Sequence, residues 1–100
     1  MGKPSHKPIE KKNIGFGGIN ILPGRMREVR PEKVAELVKS IREQGLIRPI
    51  SVRPRDGGGY WLMGGLHRLL ACKKLKQHAI RCAVYGKMSD DEAKLIEIDD

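Results

Sequence analysis

The sequence predicts a small α+β domain, built on one mixed β-sheet with helices, in the order β-α-β-β-α-β-α. Three patterns favour this fold class. A helical apolar stripe runs through 31–45, and a strand–turn–strand pattern occupies 49–63. A second apolar helix and an alternating strand follow, so that helices and strands interleave along the chain.

The first strand and the first helix have clear boundaries. Residues 19–22 form a short strand candidate, which Pro23 and Gly24 end. Pro31 suits the first helical position, where its missing N–H is not needed. Gly45 ends the helix in the usual left-handed conformation. The apolar face of this helix consists of Val34, Leu37, Val38 and Ile41, at spacings of three and four residues.

The remaining elements follow from alternation and turn chemistry. They are a strand over 49–53, a turn over 54–59, a strand over 60–63, a helix over 66–75 and a strand over 79–85. Ser89 and Glu92 form a capping box that begins a third helix running toward Asp100.

Composition places the chain among basic single-domain proteins. Its 100 residues carry a formal charge of +8, which favours polyanions and makes DNA the expected partner. Residues 1–18 read as a basic flexible tail and 19–100 as the folded domain. No apolar run is long enough for a membrane span or a signal peptide, so we expect no membrane association and a cytoplasmic location. Cys72 and Cys82 match no zinc spacing, and we expect two buried, reduced thiols.

The segment Gly64-Gly65-Leu66-His67-Arg68 is the strongest candidate site. Two glycines allow a sharp turn, and the helix that follows offers N–H groups and a positive dipole end to an anion. On a helical wheel, His67 lies with Lys74 on the wetter side, whereas Arg68 leans toward the core. A buried guanidinium needs a partner, which is either a bound phosphate or an internal carboxylate such as Glu36 or Glu92.

Further candidates surround the first helix. Arg27, in the basic loop before this helix, and Lys33, in its first turn, could form a second anion site or a solvated basic surface. Ser40 could offer a hydroxyl along the same side as Lys33. Glu28 and Glu36 are candidate bases or magnesium ligands, or else surface charges of a helix. No Walker, dinucleotide-binding, zinc-protease or nucleophile-elbow motif is present, and we expect no resident metal centre.

Two spaced motifs resemble the ParB/sulfiredoxin superfamily. The segment 31–50 is similar to the ParB signature V-x-x-L-x-x-S-I-x-x-x-G-L-x-x-P-I. Gly64-Gly65-Leu66-His67-Arg68-Leu69-Leu70-Ala71 stands in the place of the ParB Gly-Glu-Arg-Arg-x-x-Ala motif and of the sulfiredoxin Gly-Gly-Cys-His-Arg motif.

The resemblance implies a nucleotide ligand but differs between branches. The ParB branch implies a CTP-binding switch that clamps DNA, with magnesium at the phosphates. The sulfiredoxin branch implies an ATP site, and a third branch implies kinases of free serine. By this likeness Lys33, His67 and Arg68 are phosphate contacts and Ser40 is a nucleotide contact.

Three differences from the ParB and sulfiredoxin motifs limit which residue roles the resemblance implies for this chain. Leu66 replaces the sulfiredoxin cysteine, Leu66-His67 replaces the ParB Glu-Arg pair, and the ParB Glu-Asn-x-x-Arg motif is not completed by Ile98-Asp99-Asp100.

The sequence therefore predicts a ParB-like domain of a DNA partition or DNA-regulating protein, with CTP or ATP and Mg²⁺ as a conformational switch. An ATP/ADP-dependent kinase of a small molecule such as free serine is the alternative, beside a ParB-like nuclease that uses Glu28 or Glu36. An NTPase or phosphotransferase activity and a homodimer are left open.

Overall fold

The computed structural model of the chain describes residues 7–46 and 48–96, which form one α+β unit. The strands are β1 Glu10–Gly15, β2 Ile19–Asn20, β3 Ile50–Pro54, β4 Tyr60–Gly64 and β5 Ala79–Val84. The helices are α1 Pro31–Gln44, α2 Leu66–Lys74 and α3 Asp90–Lys94, with short 3₁₀ helices at Phe16–Gly18 and Arg25–Glu28. From β2 onward, the predicted order of strands and helices is confirmed.

The five strands form one mixed sheet in the order β1-β5-β3-β4-β2. β3 pairs antiparallel with β4 and parallel with β5, so that β3 lies at the centre. The central strand is almost wholly buried, as expected for a strand covered on both faces. The carboxyl end of β4, at Gly64, leads after one residue into α2.

The prediction of a flexible tail is wrong for Glu10–Gly15. This segment pairs antiparallel with β5 along its whole length, and the N–H of Ile9 donates to the Val84 carbonyl at 2.7 Å. The strand was not predicted from the sequence because only Ile14 in it is buried, and its other side chains show no apolar alternation. Residues 1–6 of the predicted tail lie outside the described residues.

The first helix matches its prediction closely. Pro31 occupies the first turn, and Val34 and Ile41 are buried. Gly45 ends the helix with the expected positive φ of +80°, but its ψ of 175° is extended, so the predicted left-handed helical conformation is wrong in ψ. α1 packs against α2, which fixes the loop before α1 close to the beginning of α2. The third helix begins at the predicted capping box but ends at Lys94, and residues 97–100 lie outside the described residues.

One core joins the sheet to α1 and α2. Its fully buried side chains include Ile50, Leu62, Leu66 and Leu69. Cys72 and Cys82 are buried and reduced in the same core, as predicted. Burial raises the pKa of the Cys72 thiol, and it raises the pKa of the Cys82 thiol to about 11. In the described part of the chain, no helix has the length and apolar character that crossing a bilayer requires.

Candidate functional site

The turn between β4 and α2 depends on Gly65. This residue adopts φ +97° and is the N-cap of α2, so the capping position itself has no side chain. A Cβ atom at this position would lie 2.7 Å from Cγ2 of Ile50. Conformation and space therefore both require glycine, because the backbone of the turn lies directly against the central strand.

The side chain of Leu66 belongs to the core. It is fully buried among apolar residues, so it offers a ligand no surface of its own. Leu66 was predicted as a binding residue, and only its backbone could serve in that role. Because the Leu66 side chain is packed in the core, it also fixes the position of His67 and Arg68, which follow it in α2.

His67 is buried, with 3% of its surface exposed, and the prediction of a wetter position is wrong. The N–H of Arg30 donates to Nε2 of His67 at 3.1 Å, so the segment just before α1 covers this side of α2. Since Nε2 accepts a hydrogen bond, a neutral His67 ring carries its proton on Nδ1. The imidazole thus connects the beginnings of the two helices.

Arg68 leans inward as predicted and is 9% exposed. Its Nη1 donates to the carbonyls of Arg48 and Pro49, at 3.2 and 2.8 Å. Backbone oxygens leading into β3 therefore serve where the sequence suggested Glu36 or Glu92. Glu36 is exposed on α1, and the carboxylate of Glu92 accepts the N–H of Ser89.

Arg25 links the turn to the basic loop before α1, which the sequence offers as a possible second anion site. Its Nη1 lies 3.4 Å from the carbonyl oxygen of Met63, the residue just before Gly64. Its Nε lies 3.1 Å from Oε1 of Glu28. Glu28 is thus paired with a cation beside the turn, and this pair connects the candidate base with the site.

A cavity of about 510 Å³ adjoins the turn through Met63. Its lining residues come from the loop after β2, from β3 and β4, and from α3: Leu22, Pro23, Arg25, Arg53, Leu62, Met63, Asp90, Ala93, Lys94 and Ile96. Three cations and one carboxylate face it, so its charge favours an anion. The residues Gly64–Arg68 do not line it, so the turn and the cavity are neighbours that share one edge.

Arg53 is the buried cation of this cavity, and its role could not be read from the sequence. It is 3% exposed, its Nη1 donates to the Met88 carbonyl at 2.9 Å, and its Nη2 pairs with Asp90. The alternation of β3 places Arg53 on the face opposite Val52, beneath α3. One arginine thereby attaches the beginning of α3 to the sheet.

The other predicted contact residues do not lie at the turn itself, as His67 and Arg68 do. Arg27 is exposed, with its guanidinium beside Gly24. Lys33 is half-buried in the first turn of α1, and Ser40 is half-buried two turns further on, roughly 10 Å along the helix axis. Among the described residues, no group of three His, Cys, Asp or Glu side chains could hold a metal ion.

The mixed sheet of five strands with three helices matches a class of protein, the α+β domains of the ParB/sulfiredoxin superfamily. The chain belongs to the ParB N-terminal domain family, whose model matches residues 19–98. It is similar to a probable chromosome-partitioning protein ParB of Vibrio cholerae, with 35% identity over 68 residues, which are 65% of this chain and 23% of that protein.

The solved structures that share the fold include the following two. Sulfiredoxin from Arabidopsis thaliana has 35% identity and a TM-score of 0.70, over 78% of this chain and 86% of that one. C-terminally truncated ParB from Caulobacter crescentus, complexed with CTP-γ-S, has 25% identity and a TM-score of 0.72, over 84% of this chain and 48% of that one. The chain spans 23% to 32% of the length of the curated relatives it matches.

Proposed function

We propose that the chain is a nucleotide-responsive module of a chromosome- or plasmid-partition protein, or of another DNA-regulating protein. The observation that carries the proposal is the Gly65 turn, which begins α2 with His67 and Arg68 in its first turn. Donors of this kind at a helix N-terminus suit the phosphates of a nucleotide. Gly64, Gly65, His67 and Arg68 are the proposed phosphate contacts.

The cavity beside the turn supports a nucleotide rather than a lone phosphate. Its volume of about 510 Å³ lies within the range of small-molecule sites. Arg25 reaches both the cavity and the Met63 carbonyl, so it could contact a ligand that extends from the turn into the cavity. CTP is the first candidate, because the similar Caulobacter protein was crystallised with CTP-γ-S. ATP and Mg²⁺ remain to be tested beside it.

DNA is the proposed macromolecular partner. The formal charge of +8 favours a polyanion, and the same Caulobacter protein was also crystallised with the centromeric parS site. We propose that nucleotide occupancy changes how the module associates with DNA or with a second copy of itself. A cytoplasmic setting follows from such a role.

Thermal unfolding with CTP, ATP and ADP, each with Mg²⁺ or with EDTA, tests the nucleotide proposal. A ligand at a hundredfold excess over its Kd stabilises by about 2.7 kcal/mol, which raises Tm by roughly 10–20 °C in a domain of this size. Absence of a shift with every nucleotide would overturn the proposal. Release of phosphate, or its transfer to free serine, would instead identify an enzyme.

Arg68→Ala should abolish the shift, because it removes the guanidinium at the beginning of α2. Arg68 also holds two carbonyls, so the variant is assayed by calorimetric titration at a temperature where circular dichroism shows it folded. Arg42→Ala, an exposed arginine in the last turn of α1, is the matched control and should keep the full shift. Equal loss in both variants would argue against a site at the turn.

A further inference from the structure

The C-terminal end of α2 carries a basic surface that lies outside the site described above. It consists of Lys73, Lys74, Lys76 and His78, all of them exposed, and we name it the α2-end surface. The N–H of Lys76 donates to the Lys73 carbonyl at 3.0 Å, so these two lysines are direct neighbours. Nζ of Lys73 lies 5.9 Å from the ring centroid of Phe16, at the far end of β1.

The charge of this surface is not offset by the residues around it in sequence. No Asp or Glu occurs between 57 and 89. Within residues 7–46 and 48–96, none of the three lysines takes part in an ion pair. Lysines near a helix C-terminus do interact favourably with the helix dipole, but that accounts only for those in the last turn.

Lys76 has an unusual backbone conformation, which is independent of the charge of this surface. It is the only described residue other than glycine with a positive φ, at +60°. It follows the C-cap Leu75, at the position where helices ordinarily end with glycine, since glycine takes this conformation without strain. A lysine therefore occupies a place where it costs stability, and residues strained in this way cluster at functional sites.

We propose that the α2-end surface binds the phosphate backbone of duplex DNA. Ammonium groups on flexible stems suit phosphates as point charges, and such contacts are independent of base sequence. Duplex is favoured over single strands because the described chain presents few aromatic rings for stacking. This inference rests on the proposed function only in taking DNA as the partner, and it is independent of the nucleotide site.

The substitution Lys76→Gly separates binding from folding. Fluorescence anisotropy of a short labelled duplex of mixed sequence is measured with the 100-residue chain between about 50 and 200 mM salt. Loss of one phosphate contact should make the slope of log K against log salt shallower by about 0.9. At the same time Tm should rise by roughly 4–8 °C, because glycine relieves the left-handed backbone.

Two further variants serve as controls. Lys39→Ala removes the same charge from an exposed position on α1 and should leave the slope unchanged. Lys76→Arg retains the charge and should retain the slope. A nucleotide-induced thermal shift should be the same in Lys76→Gly as in the parent chain, so that failure of this inference and failure of the nucleotide proposal give different results.

Three outcomes would overturn the proposal. The first is an equal change of slope in Lys76→Gly and Lys39→Ala, since net charge alone would then explain binding. The second is an absence of salt-dependent binding to the duplex by the parent chain. The third is binding to anionic phospholipid vesicles that Lys76→Gly weakens while duplex binding is unaffected, which would identify a membrane surface as the partner.

Discussion

The second and third helices begin in opposite ways, although each comes after a strand of the same sheet along the chain. α3 is capped by its own side chains: Ser89 Oγ accepts the N–H of Glu92, and the Glu92 carboxylate accepts the N–H of Ser89, both at 3.1 Å. Its first turn holds three acidic residues. α2 begins at Gly65, which has no side chain to act as a cap, and its first turn contains no acidic residue but carries His67 and Arg68. The first turn of α3 therefore carries negative charge of its own, which suits the positive end of a helix dipole, whereas the first turn of α2 carries a cation there.

The two helices also differ in how firmly they are seated. Six residues of α2 are buried, whereas none within α3 is. The beginning of α3 is held to the sheet mainly by Arg53, through the Met88 carbonyl and Asp90. Local opening should therefore affect α3 first, because regions with few buried apolar contacts open at low free energy.

Gly65→Ala should have the largest effect and would break the beginning of α2. The new Cβ meets Ile50 at 2.7 Å in a backbone with φ +97°, so steric crowding and backbone strain add to about 3 kcal/mol of lost unfolding free energy. Gly57→Ala is the matched control, with φ +90° and open space around it, and should cost about 1 kcal/mol. Urea unfolding measures both. Equal costs would show that close packing of the turn contributes little.

Alkaline pH should weaken the core beneath α2 while leaving the capping of α3 untouched. Burial raises the pKa of Cys82 from 9.0 to about 11, and its thiol lies 3.3 Å from the Ile80 carbonyl oxygen, which can accept its proton. Between these values the unfolded chain loses the thiol proton and the folded chain keeps it. Unfolding free energy should therefore fall as pH rises from 9.0 to about 11, by at most about 1.4 kcal/mol per pH unit.

Cys82→Ala isolates this contribution. Tyrosines and lysines also titrate at alkaline pH, so the informative quantity is the difference in slope between the variant and the parent chain. The variant should show a shallower fall of unfolding free energy with pH, measured by urea unfolding at several pH values. Identical slopes would mean that the Cys82 thiol has the same pKa in the folded and unfolded chains.

Ser89→Ala should have the smallest effect, about 1 kcal/mol, and it should be confined to α3. The amide of Glu92 loses its acceptor, so hydrogen exchange there should accelerate while amides of α2 keep their protection. Native-state hydrogen exchange measures both helices in one sample. If protection in α2 fell in parallel with that in α3, the contrast between the two helices would not hold.

The elements with strong local signals were predictable from the sequence. Pro31 and Gly45 bracket α1, and Ser89 with Glu92 marks the beginning of α3, because caps and turns act within a few residues. β1 was not predictable, since its charged side chains show no apolar period and its partner β5 lies about seventy residues away. An edge strand needs only one buried side chain here, that of Ile14.

The sequence predicted which residues form the turn, but not which groups surround and contact them. The glycine turn and the inward lean of Arg68 follow from local rules, and both are observed. The N–H of Arg30, in the segment before α1, donates to the buried His67 side chain, and this contact joins parts of the chain 37 residues apart. Likewise, tertiary structure determines which carbonyls accept hydrogen bonds from Arg68 and where Arg53 lies beneath α3. Neither contact produces a periodic pattern in the sequence.

The burial of Gly64–Arg68 has a kinetic consequence. All five residues are shielded from solvent in this structure, and the Arg30 segment covers His67. Under the proposed function, a phosphate can reach the beginning of α2 only when that segment moves aside, so the rate of opening limits binding. Observed association rates should therefore rise with nucleotide concentration and then level off at the rate of opening, as stopped-flow fluorescence of Trp61 could record.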